Sequence, residues 1–131
     1  GKNLPAFLPK RFRVHSVSLL PLYIGSDILS HREIAPLVDS IVFTFKRTHR
    51  LPSRPGGNVT VGYDYGFLLY NLTKLNDSAA LEIYKKMFCI LDDTGTWSEY
   101  YINGKASGTR YRPWESGIDL DAAILFAETW K

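Results

Sequence analysis

The chain has one cysteine, Cys89, in 131 residues. A lone thiol excludes an internal disulfide and any cysteine-held zinc or iron–sulfur centre within the chain. Its place in the apolar run Met87-Phe88-Cys89-Ile90-Leu91 predicts a buried, inert group. The histidines are as sparse: His15, His31 and His49 stand far apart with no ligand spacing to Asp or Glu, so no metal is expected. Gly56-Gly57 lacks the strand–GxxxxGK–helix setting of a phosphate loop, and no other motif asks for a cofactor. No apolar run approaches the ~18 residues of a membrane span. The opening GKNLPAFLPKRF has neither the long apolar stretch nor the small-residue cleavage site of a signal peptide. The chain therefore reads as soluble and cytoplasmic, with no membrane partner. Without repeats or low-complexity linkers, residues 1–131 read as a single domain.

What is present is an ordinary globular composition with extra aromatics: 45% apolar, 14% aromatic and 22% charged. A chain of this length buries roughly two-thirds of its unfolded surface, enough for a core without staples. The net charge of +3 gathers in Lys10, Arg11 and Arg13 and in Lys46, Arg47, Arg50 and Arg54. No nucleic-acid motif accompanies these clusters and 13 carboxylates dilute their field, so they read as solvated helix ends and loops, with no nucleic acid as partner.

The apolar pattern is mainly helical. Residues 14–23 form a first helix, interrupted by Pro21. Ser30 and Glu33 make a capping box, after which Ile34, Leu37, Val38, Ile41, Val42 and Phe45 recur at helical spacing, with regular helix beginning near Pro36. Residues 48–60, with two prolines and two adjacent glycines, read as a long loop. Leu68, Leu69, Leu72 and Leu75 share one face of a helix over residues 65–75. A second helix, capped by Asp77, spans residues 78–91 and packs antiparallel to it. Asn103-Gly104 predicts a β-hairpin following Thr96. Ile118, Leu120, Ala123, Ile124, Phe126 and Ala127 mark a last helix, apolar on more than one side and therefore an inner one. The fold class is mostly α: antiparallel helical hairpins with a small β-hairpin. Of the glycosylation sequons at Asn58, Asn71 and Asn76, the one at Asn71 falls inside a helix.

Chemistry concentrates in residues 95–119, GTWSEYYINGKASGTRYRPWESGID, where Glu99, Arg110, Arg112 and Glu115 alternate with Trp97, Tyr100, Tyr101, Tyr111 and Trp114. Flat aromatic faces stack on the C–H faces of sugar rings while carboxylates and guanidinium groups hydrogen-bond the hydroxyls. The same residues also suit a polar cap on a helical bundle, with Arg110 or Arg112 paired to Glu115. Strand alternation puts Trp97, Glu99 and Tyr101 on one face, either a sugar platform or a half-buried edge.

Helical hairpins followed by Gly-Thr-Trp-Ser-Glu-Tyr-Tyr, a short hairpin, and Arg-Pro-Trp-Glu-Ser-Gly-Ile before an inner helix resemble the carboxy-terminal part of the (α/α)6-toroid glycoside hydrolases of the glucoamylase and trehalase type. In those families a Ser-Glu-x-Tyr or Glu-x-Tyr segment after the penultimate helix carries the general base. The resemblance implies that Glu99 corresponds to it. Gly62-Tyr63-Asp64-Tyr65-Gly66 then opens an earlier inner helix, and Arg112-Pro113-Trp114-Glu115 opens the last. Twelve helices with their connections need at least about 200 residues, so the chain corresponds to a carboxy-terminal fragment of such a toroid. The implied reaction is inverting hydrolysis of an O-glycosidic bond: Glu99 activates water, and Tyr63, Asp64, Trp97, Tyr101, Arg110, Arg112, Trp114 and Glu115 hold the sugar. An inverting enzyme also needs a general acid roughly 6.5 to 9.5 Å from the base. The families supply it from an earlier hairpin, and only Asp64 and Glu115 stand as internal substitutes, Asp64 being equally a helix-capping carboxylate and Glu115 equally an ion-pair partner. Two other readings share the pattern. One is a non-catalytic carbohydrate-binding or scaffold protein, inactive alone, whose exposed inner-helix faces at Leu68, Leu72, Leu120 and Ile124 are covered by a second copy or a partner chain. The other is a phosphorylase relative in which Arg110 or Arg112 binds phosphate.

Overall fold

The computed structural model describes residues 19–25, 30–51 and 57–130. The element order is α1 (Leu20–Tyr23), α2 (His31–Thr48), β1 (Val59–Val61), α3 (Asp64–Lys74), α4 (Ala80–Cys89), β2 (Tyr100–Ile102), β3 (Lys105–Ser107) and α5 (Pro113–Thr129). The protein is mostly helical, with one small antiparallel sheet in the order β1-β2-β3. Of the predicted first helix, residues 14–18 lie outside the described residues, as do His15, Lys10, Arg11, Arg13 and Arg54.

Helix α2 starts at the predicted capping box: the Glu33 amide donates to Ser30 Oγ at 3.3 Å and the Ser30 amide donates to Glu33 Oε2 at 2.8 Å. Its buried stripe is the predicted one, Ile34, Leu37, Val38, Ile41, Val42 and Phe45. Regular helix does not wait for Pro36, which lies inside α2. Arg32, whose carbonyl loses its partner there, is exposed, so water replaces the missing bond.

Helix α3 is buried over nearly its whole circumference and packs chiefly on α5, with α1, α2 and α4 on its other sides. It ends in a Schellman motif: Asn76 is left-handed at φ 53°, its amide donates to the Thr73 carbonyl and the Asp77 amide to the Leu72 carbonyl. Asp77 caps the turn leading into α4, accepting from the Ala79 amide at 2.8 Å. In α4, Ala80, Ile83 and Met87 face inward, which turns Cys89 outward. The thiol is exposed rather than buried.

The Asn103-Gly104 turn closes β2 onto β3 with both residues at positive φ, 51° and 79°, as a type I′ turn requires. The sheet corrects the sequence reading at residues 48–60, whose end is not loop but β1, antiparallel to β2 with Thr60 opposite Tyr101. Such a strand carries little local signal; distant β2 supplies its hydrogen-bond partners.

Candidate functional site

The chemistry-bearing segments meet where β1 turns into α3 and where the chain after β3 turns into α5. Two glycines permit the approach. The Gly62 amide donates to the Glu99 carbonyl at 2.8 Å. A β-carbon on Gly62 would overlap the Ser98 carbonyl oxygen and lie 2.8 Å from Glu115 Cγ. One turn into α3, a β-carbon on Gly66 would overlap Asp119 Oδ1 and lie 3.0 Å from Asp119 Cα. These contacts place the start of α3 directly on the first turns of α5.

Glu99 sits at the rim. Oε2 accepts from the Thr109 amide at 2.8 Å, and Oε1 pairs with the Arg112 guanidinium. The Thr109 amide, with Arg112 behind it, holds the Glu99 carboxyl below its ordinary range, so it is ionised at neutral pH. Arg112 also reaches inward, its Nε lying 3.3 Å from Glu115 Oε2. It bridges a carboxylate at the rim to one in the interior: the Glu115 side chain is 1% exposed.

Around this bridge the predicted residues separate into three groups. Tyr63 and Trp114 remain at the surface, ring centroids 6.2 Å apart and edge to face, with Trp114 56% exposed. Asp64, Glu115, Trp97 and Tyr101 are buried. Asp64 Oδ2 accepts from the Val61 amide at 2.9 Å, tying β1 to the first turn of α3. Arg110 stands apart, pairing at 3.1 Å with exposed Asp93 rather than with Glu115, a contact of the kind worth little in water.

Trp97 and Tyr101 correct the sugar-platform expectation. Strand geometry begins only at Tyr100, so alternation does not carry Trp97 onto the face of Glu99. Trp97 Nε1 donates to the Met87 carbonyl at 2.9 Å, and the Tyr101 hydroxyl donates to the Ile90 carbonyl at 3.2 Å while accepting from the Ser98 amide at 3.1 Å. They supply donors to the carbonyl end of α4, where the Met87 carbonyl otherwise receives only the long Ile90 amide bond of 3.3 Å. Burial pushes the Tyr101 hydroxyl up to about 12, so it stays protonated as a donor. Tyr101→Phe removes both bonds and leaves the buried Ser98 amide and the partly buried Ile90 carbonyl without that partner. The expected loss is about 1–2 kcal/mol in chemical denaturation, whereas Tyr100→Phe, on the opposite face of β2, leaves the midpoint unchanged.

Three further features escaped the sequence reading. Thr109 acts through its backbone amide, which no residue-type pattern reveals. Tyr111, exposed beside Arg112, has φ 60°, a costly conformation for an aromatic residue and one concentrated at binding sites. Asp119 is fully buried where α5 crosses Gly66, and neither of its oxygens makes a well-formed hydrogen bond. Burial, opposed by the nearby Gly66 amide, raises its carboxyl well above the ordinary range, with Asp64 and Glu115 adding to the shift.

No group of three His, Cys, Asp or Glu among the described residues is arranged to hold a metal ion. No helix among them is long and apolar enough to cross a membrane. Comparison with protein-family models, with curated proteins and with solved structures returned no match to this chain.

Proposed function

We propose that the face formed by Tyr63, Glu99, Arg112 and Trp114 binds carbohydrate, and that this chain is the base-bearing, carboxy-terminal part of a toroid-type inverting glycoside hydrolase. The observation that carries the reading is the pairing of an exposed Trp114, edge-on to Tyr63, with an ionised Glu99 held by Arg112 at the opening of an inner helix. The indole offers an apolar platform for a pyranose ring, and the ion pair offers donors and acceptors for its hydroxyls. In the complete enzyme Glu99 takes the proton of the attacking water. The general acid comes from another segment, because Asp64 and Glu115 are both buried. The outward side of α5, where Leu120 and Ile124 are exposed, is then the surface a partner chain or a second copy covers; Leu68 and Leu72 are themselves fully buried.

The depth of Asp64 and Glu115 favours one second reading, a carbohydrate-binding or scaffold protein that performs no hydrolysis. Isothermal titration against mono- and oligosaccharides, with product analysis, separates the two. Saturable binding weakened about tenfold by Trp114→Ala, a loss in line with one ring-stacking contact, supports the sugar site. Hydrolysis that disappears in Glu99→Gln while binding stays within about threefold supports the catalytic role. Binding without hydrolysis in any context supports the carbohydrate-binding form of the second reading, and no binding by any sugar overturns the sugar site and leaves only the scaffold form.

A further inference from the structure

The end of α2, strand β1, the hairpin turn and the last turns of α4 enclose a cavity of about 30 Å³ that opens to solvent. None of Tyr63, Glu99, Arg112 and Trp114 lines it. Its basic side chains are His49, Arg50 and Lys86, and no aspartate or glutamate among the described residues borders it. In a chain with 13 acidic residues, Arg50 and the adjacent His49 from the end of α2 converge here with Lys86 from α4, and no carboxylate stands among the described lining residues.

Each of these basic groups is available. Among the described residues, none of the three lies within ion-pairing distance of an acid. Arg50 is aimed by neutral partners: Nη1 donates to Asn103 Oδ1 at 3.2 Å, and its amide donates to Thr48 Oγ1 at 3.3 Å. A lysine in the last turn of a helix ordinarily serves the free carbonyls there. In α4 and just beyond it, the Met87 and Ile90 carbonyls already accept from Trp97 and Tyr101, so neither depends on Lys86. The cavity also borders Asn58, Thr60 and Tyr65. Burial raises the Tyr65 hydroxyl far above its ordinary range, and it makes no hydrogen bond among the described residues, so it presents a permanent proton donor.

We propose that this cavity is a binding site for the phosphoryl group of a small phosphorylated molecule. Donors arriving from three elements suit a compact group with three oxygens; a flat carboxylate is satisfied by a single bidentate arginine. The enclosed space exceeds the roughly 10–15 Å³ that one water needs and admits the oxygens of a head group, while the remainder of the ligand lies in the open mouth.

Amide chemical-shift titration of the full chain with inorganic phosphate, glucose 6-phosphate and acetate, at 150 mM (about physiological) salt, tests the assignment. The expected result is saturable shifts at Thr60, Tyr65 and Gly104 with both phosphates and none with acetate. Arg50→Gln with Lys86→Gln weakens this binding by about tenfold or more, with the melting temperature of the double variant verifying its fold. Arg32→Gln, exposed in the first turn of α2, leaves it unchanged. Acetate binding as tightly as phosphate overturns the phosphoryl assignment. Absence of saturable shifts with either phosphate, or shifts that persist in the double variant, overturns the site itself.

Discussion

Gly62→Ala lowers the stability of the protein by about 3 kcal/mol, a melting-temperature loss on the order of 10 °C. The added methyl would overlap the Ser98 carbonyl oxygen, a backbone atom that cannot swing aside, and would press on Glu115 at 2.8 Å from Cγ. Relief requires separating β1 from the start of β2, which breaks the Gly62-to-Glu99 hydrogen bond, or lifting α5 off the sheet. Gly117→Ala is the matched control, since a β-carbon there meets nothing within 4 Å. As a helix-interior glycine in α5, Gly117 disfavours its own conformation, so alanine gains about 0.5–1 kcal/mol. Differential scanning calorimetry of the two variants should therefore move in opposite directions. Equal and small effects would mean that β1 and α5 do not meet at Gly62.

Asp119→Asn is expected to stabilise the protein near neutral pH, by about 1.4 kcal/mol for each pH unit through which the folded carboxyl holds a proton that the unfolded one has lost. The pH dependence identifies the cause. In the unfolded chain this carboxyl ionises near its ordinary value of about 4; in the folded protein burial raises it well above that. The folded state therefore keeps a proton that the unfolded state has released, and stability falls as pH rises from the unfolded value toward the folded one. Asparagine has no proton to lose. The advantage of the variant grows from acid toward neutrality and vanishes below about pH 4. Other titrating groups are shared by both proteins, so the difference between their melting temperatures isolates Asp119. A constant offset across pH would assign the effect to packing, and no offset would place Asp119 in contact with water.

Features with a local physical cause were readable from the sequence. The Ser30/Glu33 box, the α2 stripe and the Asn103-Gly104 turn each depend on neighbours a few residues away, and each stands where the pattern puts it. The surface part of the site was legible for the same reason: Glu99, Arg112 and Trp114 lie within one aromatic-rich segment. What failed depended on distant partners. Val59–Val61 is a strand because β2 pairs with it. Trp97 and Tyr101 are buried because the end of α4 needs donors, a demand not visible in their own segment. Asp119 is a charged residue type that ordinarily marks the solvent side of a helix, and only the crossing of α5 with Gly66 shows it buried. Exposure of Leu120 and Ile124 beside fully buried Leu68 and Leu72 likewise follows from which sides of α3 and α5 have neighbours.

The antiparallel pairing of β1 with β2 also sets an order of assembly. Helices α3 and α4 and the β2–β3 hairpin form from nearby residues, on timescales of roughly microseconds. Joining β1 to β2 closes a loop that contains both helices, and the chain entropy of that closure must be met before the new contacts give anything back. Because Gly62, Tyr63 and Asp64 follow β1 directly while Glu99 precedes β2, the rim of Glu99, Arg112 and Trp114 gains its Tyr63 side only in that late step. Opening the β1 edge of the sheet would dismantle the same rim without unfolding either helix, so the candidate site can be lost by a local opening that leaves the helical core in place.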